Sequence, residues 1–490
     1  MNDSKQKRAP LVEAMKAYAR SGALAFHTPG HKQGLGAHDY LRELITPLGL
    51  KEEVSLMEEL DDPAHPDGCI KEAEDLAAEL YGADHTFFMV NGTTGAIHTM
   101  LMSALTPGDK ILVPRNAHRS VIGGLVLAGA IPVYLPPEID RRSGVAMGVT
   151  TETVAVALDR HPEVKGLILV YPTYYGVTCD LPKIAELLHN KGKLLLADEA
   201  HGAHLRFSDE LPPDAMACGA DMAAQSTHKL SGSLTQTSML HIRTERIDLE
   251  KVRKTAALLA STSPNYLLLA SLDIARLQMA TEGRERISRA LKLARWLRRE
   301  INNIAGLWCF SPDDVRGTGM AGLDELKLTV QVTGLGLTGP EAERFLRQQR
   351  LIQAELVDMK NILFIISMAD TENEAQRLLA ALKKLAAEKR TKAGFADENI
   401  LLPDYPEVVI SPRQACFASR ILLPIEEAVG EISAEEITFY PPGIPIICPG
   451  ERFTADILAA VKNMASNGLK VTGPEDTGLK RISVIRMEKL

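Results

Sequence analysis

Between residues 85 and 245, short apolar runs recur at intervals that leave room for a helix. They are TFFMV at 86–90, ILVP at 111–114, IPVYL at 131–135, GLILVYP at 166–172, KLLLADEA at 193–200, MAA at 222–224 and SML at 238–240. Runs so continuously apolar do not alternate between core and solvent. They need cover on both faces, which parallel or mixed sheets receive from crossover helices. The stretch therefore predicts an α/β large domain with a mixed, mostly parallel sheet, and sheets of this kind hold ligands at the carboxyl ends of their strands.

After this stretch the pattern changes. A long charged helix (ALKLARWLRREINNI), an alternating strand KLTVQV, a helix from 340 and the apolar run ILFIIS read as a smaller α+β module. The stretch ALKKLAAEKRTKAG then leads into a last region containing YPPGIPIICPGE, whose prolines and glycines oppose regular structure. The expected division is 1–285 for an N-terminal segment with the large domain, 286–389 for the α+β domain and 390–490 for a C-terminal domain.

Charge and cysteine usage narrow the function. The net charge of −8, with no sustained basic tract, argues against nucleic acid as a partner. No run of about 18 apolar residues escapes charge, and the N-terminus has basic residues without an apolar segment behind them, so neither a membrane span nor a leader is expected. The expected place is the cytoplasm. Six cysteines stand singly with no C-x-x-C, which indicates neither a disulfide framework nor a zinc site.

Three places could carry chemistry. In FFMVNGTTGAIHTMLMSAL a strand passes through a Gly/Thr loop into a helix, so Thr93, Thr94 and Gly95 could hold a phosphate at the helix N-terminus, or simply cap it. In LLLADEAHGAH, Asp198 and Glu199 close an apolar strand, where a carboxylate is costly unless a cation faces it; a helix-cap Asp is the alternative. The third is Lys229 in STHK, between two apolar runs. Desolvation there lowers an amine's pKa and makes it nucleophilic toward a carbonyl, whereas a loop lysine on the surface would do nothing. A phosphate loop, a strand-end acid and a lysine 31 residues further on complement a phosphorylated aldehyde with a basic ring nitrogen. That describes pyridoxal 5'-phosphate. His27 with His31, and His201 with His204, resemble metal pairs, but Thr28-Pro29-Gly30 makes a turn rather than a helical face, and no metal is expected. Gly334-Leu-Gly336-Leu-Thr-Gly339 matches a dinucleotide fingerprint; without further βαβ units it reads as a turn, with Thr338 or a neighbour capping the next helix.

Taken in order, FHTPGHKQG, NGTTGAI, RNAHRS, DEAHG, STHK with LTQTSML, STSPNYLLLASLD and YPPGIPIICPGE resemble the Orn/Lys/Arg decarboxylase family across nearly the whole chain. The resemblance implies the aspartate-aminotransferase fold and pyridoxal-phosphate-dependent decarboxylation of arginine, lysine or ornithine to agmatine or a diamine, in polyamine metabolism. It implies that Lys229 carries the cofactor, that Asp198 pairs with its ring nitrogen, and that Thr93, Thr94 and Ser226 hold its phosphate. It further implies that His118 stacks on the ring, that Ala200 lies against the other face, and that His228 stands beside Lys229 to move a proton. His201 counts among the cofactor-binding residues, although some relatives have a large aromatic residue there. The motifs begin after about 25 residues, without the N-terminal wing domain of larger members. This implies a homodimer with its site at the interface, Thr262 or Ser263 reaching the neighbour's cofactor.

Two other classes remain in play: an aminotransferase or aldol-type lyase on the same fold, and a cofactor-free binding protein. The C-terminal acids Glu431, Glu435, Glu436 and Glu451 are candidates to meet a substrate's distal cation, and Arg413 to clamp its α-carboxylate in the plane that transamination needs.

Overall fold

The computed structural model describes residues 4–314, 319–389, 404–440, 444–466 and 470–486. The chain forms two compact units, each drawn from two stretches of sequence: Met1–Ala104 with Leu194–Ile287, and Leu105–Lys193 with Ser288–Leu490. The strands of the α/β region are β1 His85–Met89, β2 Lys110–Pro114, β3 Ile131–Leu135, β4 Gly166–Val170, β5 Val177–Thr178, β6 Leu194–Asp198, β7 Met222–Gln225 and β8 Ser238–Ile242. All but the two-residue β5 coincide with the apolar runs.

In the first unit the strand order is β1-β8-β7-β6. β6 and β7 are parallel, with Asp198 opposite Ala224, while β8 is antiparallel to both neighbours, pairing Met239 with Gln225 and Ser238 with Met89. In the second unit β2 lies between β3 and β4, all parallel. Three of these five pairings are parallel, so the sheet is mixed and mostly parallel, as its apolar pattern requires. Leu195, Leu196, Ala197, Met222, Ala223 and Ala224 are all fully buried, the signature of strands covered on both faces. Helix Gly92–Ala104 packs against β7 and β8 and is backed by helix Leu249–Leu259. Gly92 has φ +67°, a left-handed conformation that lets β1 turn into that helix after only two residues. At the opposite end of β6, Asp221 accepts from the Leu195 N–H at 2.7 Å and pairs with Arg246 at 2.8 Å, which ties the start of β7 to the start of β6.

The α+β module of the second unit is an antiparallel sheet in the order Leu356–Val357, Asn361–Ile365, Lys327–Gln331, Trp308–Cys309. The alternating KLTVQV strand has no solvated face: Lys327 and Thr329 are as buried as their apolar neighbours. Lys327 lays its aliphatic stem against Gly176, where a Cβ would come within 2.8 Å of Lys327 Cγ, and its carbonyl accepts from Arg298 Nη2 at 2.9 Å. The Gly-x-Gly-x-x-Gly stretch is a turn. Thr338 caps helix Gly339–Arg350 through a reciprocal pair with Glu341, and a Cβ on Gly339 would strike the carbonyl oxygen of Asp358.

Toward the C-terminus, Arg420–Pro424 pairs with Arg481–Ile485, and Ile437–Tyr440 lies between Ile444–Ile447 and Lys470–Thr472. Here the expectation of irregular structure yields in part, because IPII is a strand. Pro445 is tolerated because this strand lies at the sheet edge, opposite a register shift at Ile437/Thr438. Residues 441–443 of the same motif, and the expected boundary at 390, lie outside the described residues.

Candidate active site

Because β6 and β7 are parallel neighbours ending at Asp198 and Gln225, the segments 199–204 and 226–230 leave the sheet side by side. Asp198 is only 3% exposed, and its Oδ1 accepts from the Ala200 N–H at 3.2 Å. Lys229 sits in the one-turn helix Thr227–Leu230 and is half-buried. Its Nζ lies 2.7 Å from Nε2 of the buried His201. This hydrogen bond fixes where the amine points, and an amine is a nucleophile toward a carbonyl in its neutral form.

A second cluster adjoins the first. Thr93 Oγ1 lies 2.5 Å from Ser226 Oγ and 2.9 Å from Ser238 Oγ, and Ser238 Oγ donates to the Gln225 carbonyl at 2.7 Å. The three hydroxyls come from the first turn of helix Gly92–Ala104, the residue after β7 and the first residue of β8. Thr94 is exposed beside them and Gly95 is buried, where a Cβ would come within 2.7 Å of Asn91 Cβ. Hydroxyls converging on a helix N-terminus suit an anion. His228, half-buried, donates from Nδ1 to the Thr237 carbonyl at 2.8 Å, which leaves Nε2 as the nitrogen that can exchange a proton.

The first unit thus carries Thr93, Thr94, Gly95, Asp198, Ala200, His201, Ser226, His228, Lys229 and Thr262. Thr262 is exposed, in the segment between helices Leu249–Leu259 and Tyr266–Asn302. His118 belongs to the second unit, exposed at the N-cap of helix Arg119–Ala128, where its Nδ1 accepts from the Ser120 N–H at 3.2 Å. Ser238 was missed by sequence reasoning although LTQTSML had been singled out, because a hydroxyl opening a strand has no local mark of function. The histidines of FHTPGHKQG have other partners: His31 Nε2 meets Glu53 at 2.6 Å and His27 Nε2 meets the Tyr18 hydroxyl at 2.9 Å. Among the described residues no cluster of His, Cys, Asp and Glu is arranged to hold a metal ion, and no helix is long and apolar enough to cross a membrane.

The family model for the Orn/Lys/Arg decarboxylase major domain matches residues 9–374, and that for the Orn/Lys/Arg decarboxylase C-terminal domain matches 399–468. The chain belongs to the Orn/Lys/Arg decarboxylase family. It is 44% identical over 485 residues to the arginine decarboxylase of Bacillus subtilis, covering 99% of both chains. It is likewise 44% identical over 486 residues to the arginine decarboxylase of Halalkalibacterium halodurans, again covering 99% of both. Among solved structures, the Francisella novicida lysine decarboxylase LdcF superposes with a TM-score of 0.84 at 24% identity, over 97% of this chain and 81% of that one. The reaction class carried by membership is decarboxylation of a basic amino acid.

Within this decarboxylase, two of the four C-terminal acids are engaged in holding the structure together. Glu451, fully buried, forms a bidentate pair with the equally buried Arg115 of RNAHRS and accepts from the Cys448 N–H. The Arg115 guanidinium also donates to the Pro445 and Ile446 carbonyls and lies over the rings of Tyr134 and Tyr405, at 4.4 and 4.9 Å from their centroids. Glu435 accepts from the N–H groups of Glu475 and Ser483 at 2.8 and 2.9 Å. Arg413 donates to the Leu127 carbonyl at 3.0 Å.

Proposed function

We propose that the protein is a pyridoxal 5'-phosphate-dependent arginine decarboxylase, releasing CO2 and agmatine and acting as a cytoplasmic homodimer in polyamine biosynthesis. The observation that carries this reading is the presence, at neighbouring strand ends of one unit, of an amine beside an imidazole, a buried carboxylate and a hydroxyl cluster at a helix N-terminus. These fit the aldehyde, ring nitrogen and phosphate of the cofactor. When bound, pyridoxal phosphate supplies an electron-accepting ring for the charge left at the α-carbon as CO2 departs.

The chain's own residues do the rest. Thr93, Thr94, Gly95, Ser226 and Ser238 hold the phosphate. Asp198 keeps the ring nitrogen protonated through its charge, Ala200 lies against the ring, and Lys229, hydrogen-bonded to His201, anchors the cofactor. His228, its Nδ1–H fixed on Thr237, takes up a proton at Nε2 and delivers it from there in place of CO2. Support for arginine over lysine or ornithine comes from the full-length relatives of Bacillus subtilis and Halalkalibacterium halodurans.

The homodimer is supported by the large apolar side chains exposed in the N-terminal segment of the first unit. Leu24, Phe26, Leu35, Tyr40 and Leu44 stand largely in the open, Phe26 at 92% exposure, and a second copy would cover them. Thr262 would then reach the neighbour's cofactor. None of the six cysteines is in a disulfide, as suits a reducing cytoplasm. The C-terminal decarboxylase domain is assigned to 390–490, after the large domain in 1–285 and the α+β domain in 286–389.

The test is product analysis with arginine, lysine and ornithine, each with and without pyruvate or 2-oxoglutarate. Arginine is expected to yield CO2 and agmatine in equal amounts, with kcat/KM at least about tenfold above lysine or ornithine, the discrimination that a matched polar pocket readily supplies. Turnover that depends on the oxoacid and releases no CO2 would establish an aminotransferase instead. A preference for lysine or ornithine would refute only the choice of substrate.

A further inference from the structure

Behind the candidate site runs a chain of buried polar side chains that the proposed reaction does not use. Glu199, the residue after Asp198, accepts from the Ala215 N–H at 2.8 Å and from Gln225 Nε2 at 2.9 Å. Gln225 Oε1 lies 3.0 Å from His241 Nε2, and His241 Nδ1 lies 2.8 Å from Thr86 Oγ1. Glu199, Gln225 and His241 are fully buried and Thr86 nearly so. With the Gln225 amide turned this way the donors run in one direction: Thr86 hydroxyl to His241, His241 to Gln225, Gln225 to Glu199. Tyr81 stacks on His241 with centroids 4.6 Å apart and planes 27° apart, fixing the ring. Burial drives the His241 pKa down to about 3, so its ring is neutral, as this order of donors requires.

The members come from the end of β6, the end of β7, the body of β8 and the body of β1, so one relay crosses all four strands of the first unit. The two members nearest the site adjoin site residues. Glu199 follows Asp198, and Gln225 precedes Ser226 while its carbonyl receives Ser238 Oγ from the hydroxyl cluster. The backbone ladder sets the register of these strands, and a relay of side-chain hydrogen bonds adds directional ties where the ladder ends.

We infer that the Glu199–Gln225–His241–Thr86 relay is a positioning device. It fixes the spacing between the Asp198 carboxylate and the Thr93/Ser226/Ser238 hydroxyls, and so the fit of a ligand that must touch both. This rests on the pyridoxal phosphate reading of the site.

The test uses the full chain as purified holoenzyme, stripped of pyridoxal phosphate by dialysis and titrated back, with the visible band as readout. Gln225→Met keeps the volume and cuts both links at the centre. It is expected to raise the dissociation constant for pyridoxal phosphate roughly tenfold, as losses of supporting hydrogen bonds do at other bound groups, and to shift the visible band. Glu199→Gln is the conservative partner. Its amide can keep the Ala215 N–H bond while the Gln225 amide and the His241 tautomer turn over, preserving the geometry of the relay. It should stay within about threefold of wild type, because geometry is what the relay supplies. A folded Gln225→Met protein with wild-type affinity and band overturns the inference, and so does a Glu199→Gln protein as impaired as Gln225→Met. Should Gln225→Met not fold, His241→Phe takes its place, since it keeps the Tyr81 stack and cuts the relay farther from the site; the same two results decide. A wild-type chain that retains no pyridoxal phosphate instead refutes the cofactor reading, and is recognised before any substitution is made.

Discussion

Lys229→Ala is expected to lower CO2 release from arginine by on the order of 10⁴-fold or more, because the one nucleophilic amine of the site is removed rather than displaced. On the proposed reading this lysine is set apart by its place: it is half-buried between β7 and β8, and its Nζ is held 2.7 Å from His201 Nε2. A solvated lysine has no such fixed neighbour. The substitution is also expected to abolish labelling. Borohydride reduction of the wild-type holoenzyme should fix a carbon–nitrogen bond to Lys229, found by peptide mapping, and leave the variant unlabelled while its circular dichroism is unchanged. A label on another lysine would remove the site assignment altogether, whereas a variant that still binds pyridoxal phosphate but turns over slowly is the expected outcome.

Much of this was legible in the sequence because the α/β region obeys strong local rules. Apolar runs such as LLLAD and MAAQ can only be strands covered on both faces, and the place where such a strand ends is where Asp198 and the residues after Gln225 must emerge. The loop NGTTGAI declares a helix start by its glycines and threonines. What the sequence could not reveal depends on contacts between residues far apart in the chain. Glu451 was an open candidate for the substrate's cation until its partner proved to be Arg115, 336 positions away. Ser238, Gln225 and His241 look like ordinary strand residues; only the register of β7 against β8 brings them into one network. The KLTVQV strand forms where it was read, but the burial of Lys327 and Thr329 depends on distant segments that cover them. IPIICPGE misled because proline opposes a strand in general but is compatible with an edge.

The prediction that separates charge from shape concerns Asp198. A carboxylate only 3% exposed is costly unless a cation opposes it, and the protonated ring nitrogen of pyridoxal phosphate is a cation of the right kind at a strand's carboxyl end. Asp198→Asn keeps the size and an acceptor oxygen for the Ala200 N–H, so the turn that returns His201 toward Lys229 should persist. On the proposed reading, what it removes is the negative charge that would keep the ring nitrogen protonated, on which the ring's capacity to accept electrons depends. Losing one preorganised electrostatic partner of this kind costs about 3–4 kcal/mol at the transition state, a fall in kcat of roughly 10²–10³-fold. The phosphate contacts and Lys229 are untouched, so cofactor affinity should weaken far less than turnover. Steady-state kinetics with arginine, set beside pyridoxal phosphate content and the visible spectrum of the variant, reads both effects. If turnover stayed near wild type, Asp198 would be no more than the cap of its own turn, and the buried charge would need another purpose. If cofactor content and turnover fell together, the carboxylate would be holding the ring in place rather than tuning its electronics.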